Sequence, residues 1–437
     1  MAATPAPVGF HDARLMPPDP GEGLVDRRRV FGLLDQCIRT RPLTVVSGAG
    51  GSGKSYAVAM WAREAADAGE AGESGEALTV AWASLDRADR DPHRFCLTVV
   101  GALQLVARSD AVRNIAVPAV PNQFFVDTVT EALGHEPTPL VLVLYDVHEL
   151  ATSGAVDALE ILLQALPRPH RLVLVSRHDP PLHLHRLRLA GRLGEIRGVD
   201  LAFTRSEAAD LLDSDGLDLT EEGMDRIMST TEGWAAGLRL ATMSLDPQED
   251  PGSALARFDG RHSLVTGYLL DEVVAGLGRD RADFLLRTCV VDRVCAPLAR
   301  ALTGEEASGS VLESLVHDNV LVSAIEDTGW YRYHPMLLET LRARLPATNP
   351  TLAAEQHLRA LAWFEESGEW LEALSHAILA GDGDLAAQVA LRSAAVLVFS
   401  PERTRLAQVL AGLPAEVAAA AGPEPQLCQG LAAYALG

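Results

Sequence analysis

"LTVVSGAGGSGKSYAVAMWAREAA", residues 43–66, runs from an apolar β-type segment through a glycine-rich turn into a helical pattern. Its centre, Gly48-x-x-x-x-Gly53-Lys54-Ser55, has the spacing of a phosphate-binding loop, and a strand before and a helix after are the context that loop requires. The glycines let backbone amides turn inward around phosphate oxygens, and the helix N-terminus adds its partial positive charge. On this reading Gly48, Gly50, Gly51, Ser52 and Gly53 line the cradle. Lys54 neutralises the β- and γ-phosphates and the Ser55 hydroxyl ligates Mg²⁺. Lys54 is also the sole lysine of the chain, the other 36 of its 37 Lys and Arg being Arg. In a sequence whose Arg, Ala, Gly and Pro content points to GC-rich bacterial coding, a retained lysine needs a physical reason. A compact ammonium fits inside a ring of backbone amides, and a planar guanidinium does not.

The chain has 437 residues, 48% hydrophobic and 22% charged, which suits a globular protein of about two to four domains. No apolar run approaches the ~18 residues that cross a bilayer, and Met1–Pro20 lacks the order of a signal peptide, so a cytoplasmic location without membrane contact is expected. The cysteines, Cys37, Cys96, Cys289, Cys295 and Cys428, are scattered and lack C-x-x-C spacing. That pattern argues against a disulfide framework or a zinc site, and they read as small core residues. A net charge of −22 repels a polyanion. "RLRLAGRLGEIR" (Arg186–Arg197) is the best local basic stretch, either a basic face or an ordinary solvated helix face.

Residues 1–22 are Pro- and Gly-rich and read as an N-terminal arm. Beyond them apolar runs alternate with helical patterns. The runs are "LTVVSG" (Leu43–Gly48), "LTVAWASL" (Leu78–Leu85), "PLVLVLYD" (Pro139–Asp146), "RLVLVSR" (Arg171–Arg177) and "EIRGVDLAF" (Glu195–Phe203). Continuous hydrophobicity marks strands buried on both faces, hence a parallel sheet with helices on both sides over residues 23–204. Asp91 followed by Pro92 marks a helix start. Residues 205–270 read as a helical domain. Two short strands around Asp327-Thr328-Gly329, followed by a helix from Pro335, make residues 271–348 a winged-helix unit. Residues 349–437 read as paired amphipathic helices broken at Gly368 and at Gly381–Gly383, the start of a TPR-like array. The last residues read as part of another helix, so an array cut short is expected.

A phosphate loop needs an acidic partner at the end of a neighbouring strand, and "LVLVLYDVHEL" has that shape. Asp146, preceded by Tyr145, would hold Mg²⁺ through water. His148 reads as a polar residue at the strand exit. Arg177 either reaches the γ-phosphate edge or is a surface arginine at a strand end.

Taken together, "LVDRRRVFGLLD", "PLTVVSGAGGSGKS", "AWASLDRADRDPHRF", "PLVLVLYDVHEL", "RLVLVSRHDPPL", "LAFTRSEAADLL", "TEGWAAGLRLA", "FLLRTCVVDRV" and "YRYHPMLLETL" resemble one family in order and spacing. It is the STAND-class signalling ATPases of the MalT-type, or large LuxR-type, transcriptional regulators. The resemblance covers about residues 22–345, and the helical remainder fits it. It implies a nucleotide-binding domain, a helical domain, a winged-helix domain and a superhelical sensor array, followed by a DNA-binding helix-turn-helix that would lie beyond Gly437. It further implies an ADP-bound closed state, and an open state favoured by ATP and an inducer that self-associates. By position, Lys54 and Ser55 bind phosphates and Mg²⁺, Asp146 is the acidic site, Arg177 senses the γ-phosphate and His334 couples the winged helix to the nucleotide. Arg27 lies on the adenine side, and Trp234 and Gly237 shape the helical domain. The family pattern has two adjacent acids where this chain has Tyr145 and Asp146, and a proline where it has Ala235.

The resulting expectation is an ATP/ADP-dependent molecular switch, the regulatory core of a bacterial transcriptional regulator with slow ATP hydrolysis. Three alternatives stand beside it: a degenerate, non-hydrolysing nucleotide-binding scaffold, a P-loop small-molecule kinase, and a winged-helix DNA loader that the charge disfavours.

Overall fold

In a computed structural model the described residues are 12–19, 25–71, 78–151, 153–217, 219–244 and 262–397, with 405 and 409. The expected final helix and Cys428 lie outside them. The chain divides into two units, residues 1–257 with 317–319, and 258–316 with 320–437, and each is described by itself.

The first unit is built on five parallel strands, β1 (Leu43–Ser47), β2 (Thr79–Ser84), β3 (Leu140–Tyr145), β4 (Arg171–Ser176) and β5 (Leu193–Ile196), in the order β2-β3-β4-β1-β5. Both faces are buried, and the residues alternate between them. Leu43 and Val45 of β1, Leu140, Leu142 and Leu144 of β3, and Leu172 and Leu174 of β4 join one core. Val46, Val141, Val143, Val173 and Val175 join the other. The period-two pleat thus sorts leucines to one face and mostly valines to the other. On the valine face lie helices α1 (Arg28–Thr40) and α2 (Lys54–Ala71), through Val30, Leu34, Ile38, Ala57, Val58 and Trp61. On the leucine face lie α3 (Pro92–Val106) and the helices Gln123–Leu133 and Gly154–Ala165. Asp91 caps α3 as expected, its carboxylate accepting from the Arg94 N–H at 2.9 Å. The helices Arg205–Ser214, Glu221–Thr231 and Ala235–Ser244 complete the unit.

Three expectations are revised. β4 lies between β1 and β3, so the acidic strand is not the neighbour of the phosphate-loop strand. The fifth strand ends at Ile196 instead of continuing to Phe203, because the Asp200 carboxylate accepts from the Arg197 N–H at 2.8 Å and starts the helical turn Gly198–Leu201. The N-terminal arm is partly structured: Asp12–Leu15 form a 3₁₀ turn, Leu15 enters the leucine-face core, and Arg14 donates to Ser84 O and to Asp89. In the basic stretch from Arg186, two of the four arginines are paired, Arg188 with Glu195, and Arg197 with Asp179 and Glu195.

The second unit holds a three-stranded antiparallel sheet, β6 (Arg293–Cys295), β7 (Val322–Ile325) and β8 (Trp330–Tyr333), in the order β6-β8-β7. Helices Ala296–Thr303 and Ser308–His317 precede the β7–β8 hairpin, and Pro335–Thr348 follows it. Helices Pro350–Ser367, Trp370–Leu379 and Gly383–Leu397 come next, with the chain turning at Gly368 and Gly381. Among the described residues no helix is long and apolar enough to cross a membrane.

Candidate functional site

β1 delivers the chain into the loop Gly48–Gly53, and α2 starts at Lys54. The turn depends on Gly53, whose φ of +82° lies in the left-handed region that a side chain resists. Lys54 folds back over its own loop, its ammonium donating to Gly48 O at 2.6 Å, Ala49 O at 2.7 Å and Ser52 Oγ at 3.3 Å. All three ammonium hydrogens are therefore engaged inside the ring of loop atoms. Burial pushes the Lys54 pKa down to about 8; the nearby Arg177 charge adds to this and the Asp146 carboxylate opposes it.

At the end of β3 two residues face this loop from different positions. The Tyr145 hydroxyl lies 2.5 Å from the Ser55 hydroxyl, and its ring stacks on Trp82 at 5.8 Å between centroids. Asp146 takes a left-handed backbone with φ +59°, a conformation Asp tolerates better than most residues. Burial raises its carboxyl to about 6, against the opposing pull of Arg177 and Lys54. His148 stands 3.7 Å from Asp146, and burial, then Arg177 and His178, hold it down at about 4, so the ring is neutral at pH 7. Lys54, Ser55, Tyr145, Asp146, His148 and Arg177 thus share one electrostatic neighbourhood.

The loop is gripped from outside as well. The Trp234 indole donates to Gly50 O at 3.0 Å, and the Ala236 N–H donates to Gly51 O at 2.9 Å. These two contacts were not legible in the sequence. The only hint was a tryptophan set among small residues in "TEGWAAG", and Gly233 there is at φ +73°. Ala235 sits 3.5 Å from where a Gly53 Cβ would project, so the segment 234–236 touches the loop at three consecutive positions.

Arg27 is almost wholly buried. It donates to Leu201 O at 2.8 Å, Ala202 O at 3.1 Å and Glu207 at 3.3 Å, and its guanidinium lies 4.0 Å over the Phe203 ring. Its outer nitrogen comes within 3.8 Å of a Cβ built on Gly53. Arg27 therefore lies beside the loop while its hydrogen bonds tie it to the segment 201–207. His334 belongs to the second unit, where its N–H donates to Leu321 O at 2.8 Å and it precedes the helix Pro335–Thr348.

Cis ligands on an octahedral Mg²⁺ at about 2.1 Å stand about 2.9 Å apart. Ser55 and Tyr145 are closer than that and bond to each other, and a neutral phenol is a poor Mg²⁺ ligand. The Ser55 hydroxyl, so engaged with Tyr145, is not presented to a cation. Elsewhere among the described residues, donor atoms of His178, His317 and Asp318 lie within 4.8 Å of one another.

Residues 270–353 match the MalT winged helix domain family. The chain is 29% identical over 401 residues to the serine/threonine-protein kinase PknK of Mycobacterium tuberculosis, covering 90% of this chain and 35% of that protein. It is 30% identical over 381 residues to the HTH-type transcriptional regulator MalT of Yersinia enterocolitica, covering 85% of this chain and 41% of the regulator. The chain thus spans about two-fifths or less of these relatives. Among solved structures it resembles a Walker-type ATPase of Pyrococcus abyssi, with a TM-score of 0.51 and 14% identity, over 73% of this chain and 96% of that one. That likeness concerns the fold alone. The chain is thus similar over 85–90% of its length to MalT regulators and to PknK, and its residues 270–353 match the MalT winged helix domain family.

Proposed function

We propose that this chain binds a nucleoside phosphate in the Gly48–Ser55 loop and serves as the nucleotide-dependent regulatory core of a larger bacterial transcriptional regulator. The observation that carries the reading is the attachment of segment 234–236 to the loop through the Gly50 and Gly51 carbonyls. A loop that only had to hold substrate would not need its carbonyls tied to a following helix. Here, any shift of the loop around phosphates pulls directly on the helix Ala235–Ser244. Lys54 supplies the positive charge, exchanging loop carbonyls for phosphate oxygens, and the loop amides and the start of α2 supply the remaining donors.

ADP and ATP are the ligands this site suits. ADP would hold a resting form, and ATP together with an inducer would favour a self-associating form. A ligand shifts such an equilibrium only through its differential affinity for the two states. Arg177 reads the γ-phosphate and His334 couples the winged helix to the nucleotide in this scheme. Hydrolysis is slow, because the place of the first acid is taken by Tyr145, and no step is assigned to Mg²⁺. The charge of −22 suits regulation better than direct contact with DNA.

The test is the nucleotide content of the purified protein, released by denaturation and identified chromatographically. Near-stoichiometric ADP, lost in Lys54→Ala, is expected. A protein that neither carries nor takes up ADP or ATP overturns the reading.

A further inference from the structure

We propose that Tyr145 makes nucleotide binding by this chain independent of a divalent cation, with the diphosphate as the preferred cation-free ligand. The inference rests on the reading of the Gly48–Ser55 loop as a nucleotide site and deepens it.

The argument starts from strand order. Because β4 separates β3 from β1, a carboxylate at the end of β3 would face Ser55 across a gap, which a hydrated cation can fill. Tyr145 fills that gap with its own length. Its hydroxyl reaches Ser55 Oγ at 2.5 Å, joining β3 to the first turn of α2 without an ion between them. The ring has little freedom to swing away. It stacks on Trp82, which is itself fully buried and held by an indole bond to Ser84 Oγ at 3.0 Å. A cation that takes Ser55 as a ligand must therefore break a short hydrogen bond, and in return it meets a neutral phenol oxygen instead of a charged one.

What remains to balance phosphate charge is the Lys54 ammonium, the loop amides and the charge of Arg177. That set matches a diphosphate better than a triphosphate, whose additional negative charge has no cation to share it. The carboxylate of Asp146 lies within the electrostatic reach of Lys54 and Arg177 and adds repulsion as phosphates are added.

The experiment titrates the chain with a fluorescent ADP analogue and a fluorescent ATP analogue, each in EDTA and in millimolar Mg²⁺. In the wild type the ADP dissociation constants in the two buffers should agree within about threefold, and in EDTA ADP should bind more tightly than ATP. Tyr145→Asp restores a carboxylate across the gap and should weaken at least tenfold in EDTA relative to Mg²⁺. Tyr145→Phe keeps the stacked ring and frees Ser55, so Mg²⁺ should now tighten binding, which guards against misfolding of the Asp variant. Wild-type ADP binding that collapses in EDTA overturns the proposal, as does a Tyr145→Asp variant indifferent to Mg²⁺. Absence of binding in both buffers overturns the nucleotide reading itself, and the proposal with it.

Discussion

The Tyr145 hydroxyl stands 2.5 Å from that of Ser55, so the end of β3 is bonded to the first turn of α2 across an intervening strand. This bond is a structural tie as well as a feature of the site. Tyr145→Phe deletes it while leaving the stack on Trp82 in place. A net loss of about 1 kcal/mol is expected, the ordinary worth of one such hydrogen bond. Urea denaturation should show a lower midpoint with an unchanged slope. A variant as stable as the wild type would mean that the bond contributes nothing to the fold.

Trp234 offers a separate handle on the loop, because it touches Gly50 through one indole N–H and is otherwise packed. Trp234→Phe keeps most of the apolar bulk and removes the donor. Nucleotide affinity should fall roughly fivefold to thirtyfold, corresponding to about 1–2 kcal/mol. Hydrogen exchange at the amides of residues 49–53 should quicken in the unliganded variant. Unchanged exchange would separate the helix Ala235–Ser244 from the loop and weaken the case for a switch.

What could be read in advance follows from how local each feature is. The phosphate loop was legible because its motif, strand and helix are contiguous, and the five strands were legible because double-sided burial leaves continuous apolar runs. Strand order was not, since nothing local to "RLVLVSR" says that it inserts between β1 and β3. The departure at Tyr145 was visible, but its bond to Ser55 depends on that order. The grip of Trp234 on Gly50 joins residues 184 positions apart. The bonds of Arg27 likewise join distant segments, its side chain donating to Glu207 and to the carbonyls of Leu201 and Ala202.

Arg27, buried and bonded to the segment 201–207, is a stability residue. Arg27→Met leaves the carbonyls of Leu201 and Ala202 short of a donor, although Arg29 also serves Ala202 at 2.8 Å and Glu207 at 3.3 Å. The expected cost is about 2–3 kcal/mol, at or just below the range for breaking a buried ion pair because Arg29 compensates. Arg28→Met, one position along on an exposed side chain, should change stability by less than about 0.5 kcal/mol. Equal effects in thermal or urea unfolding would contradict that role.

The pH dependence can be worked out from two groups. The folded-state pKa of Lys54, about 8, is below its ordinary 10.5, so between those values the unfolded chain holds more protons and this contribution to stability rises with pH. Asp146, raised from 3.8 to about 6, acts oppositely: the folded chain holds more protons across that window, and stability falls as pH climbs through it. Phosphate oxygens beside Lys54 favour its charged form and raise its pKa. At pH 8, where the free site is about half protonated, binding ADP should therefore draw in up to roughly half a proton. Affinity should weaken as pH rises above 8, because the neutral amine must first be charged. Calorimetry of ADP binding at pH 8 in buffers of different ionisation enthalpy measures this uptake directly. The apparent enthalpy should vary with the buffer, and the absence of such variation would show that the ammonium is not the group facing the phosphates.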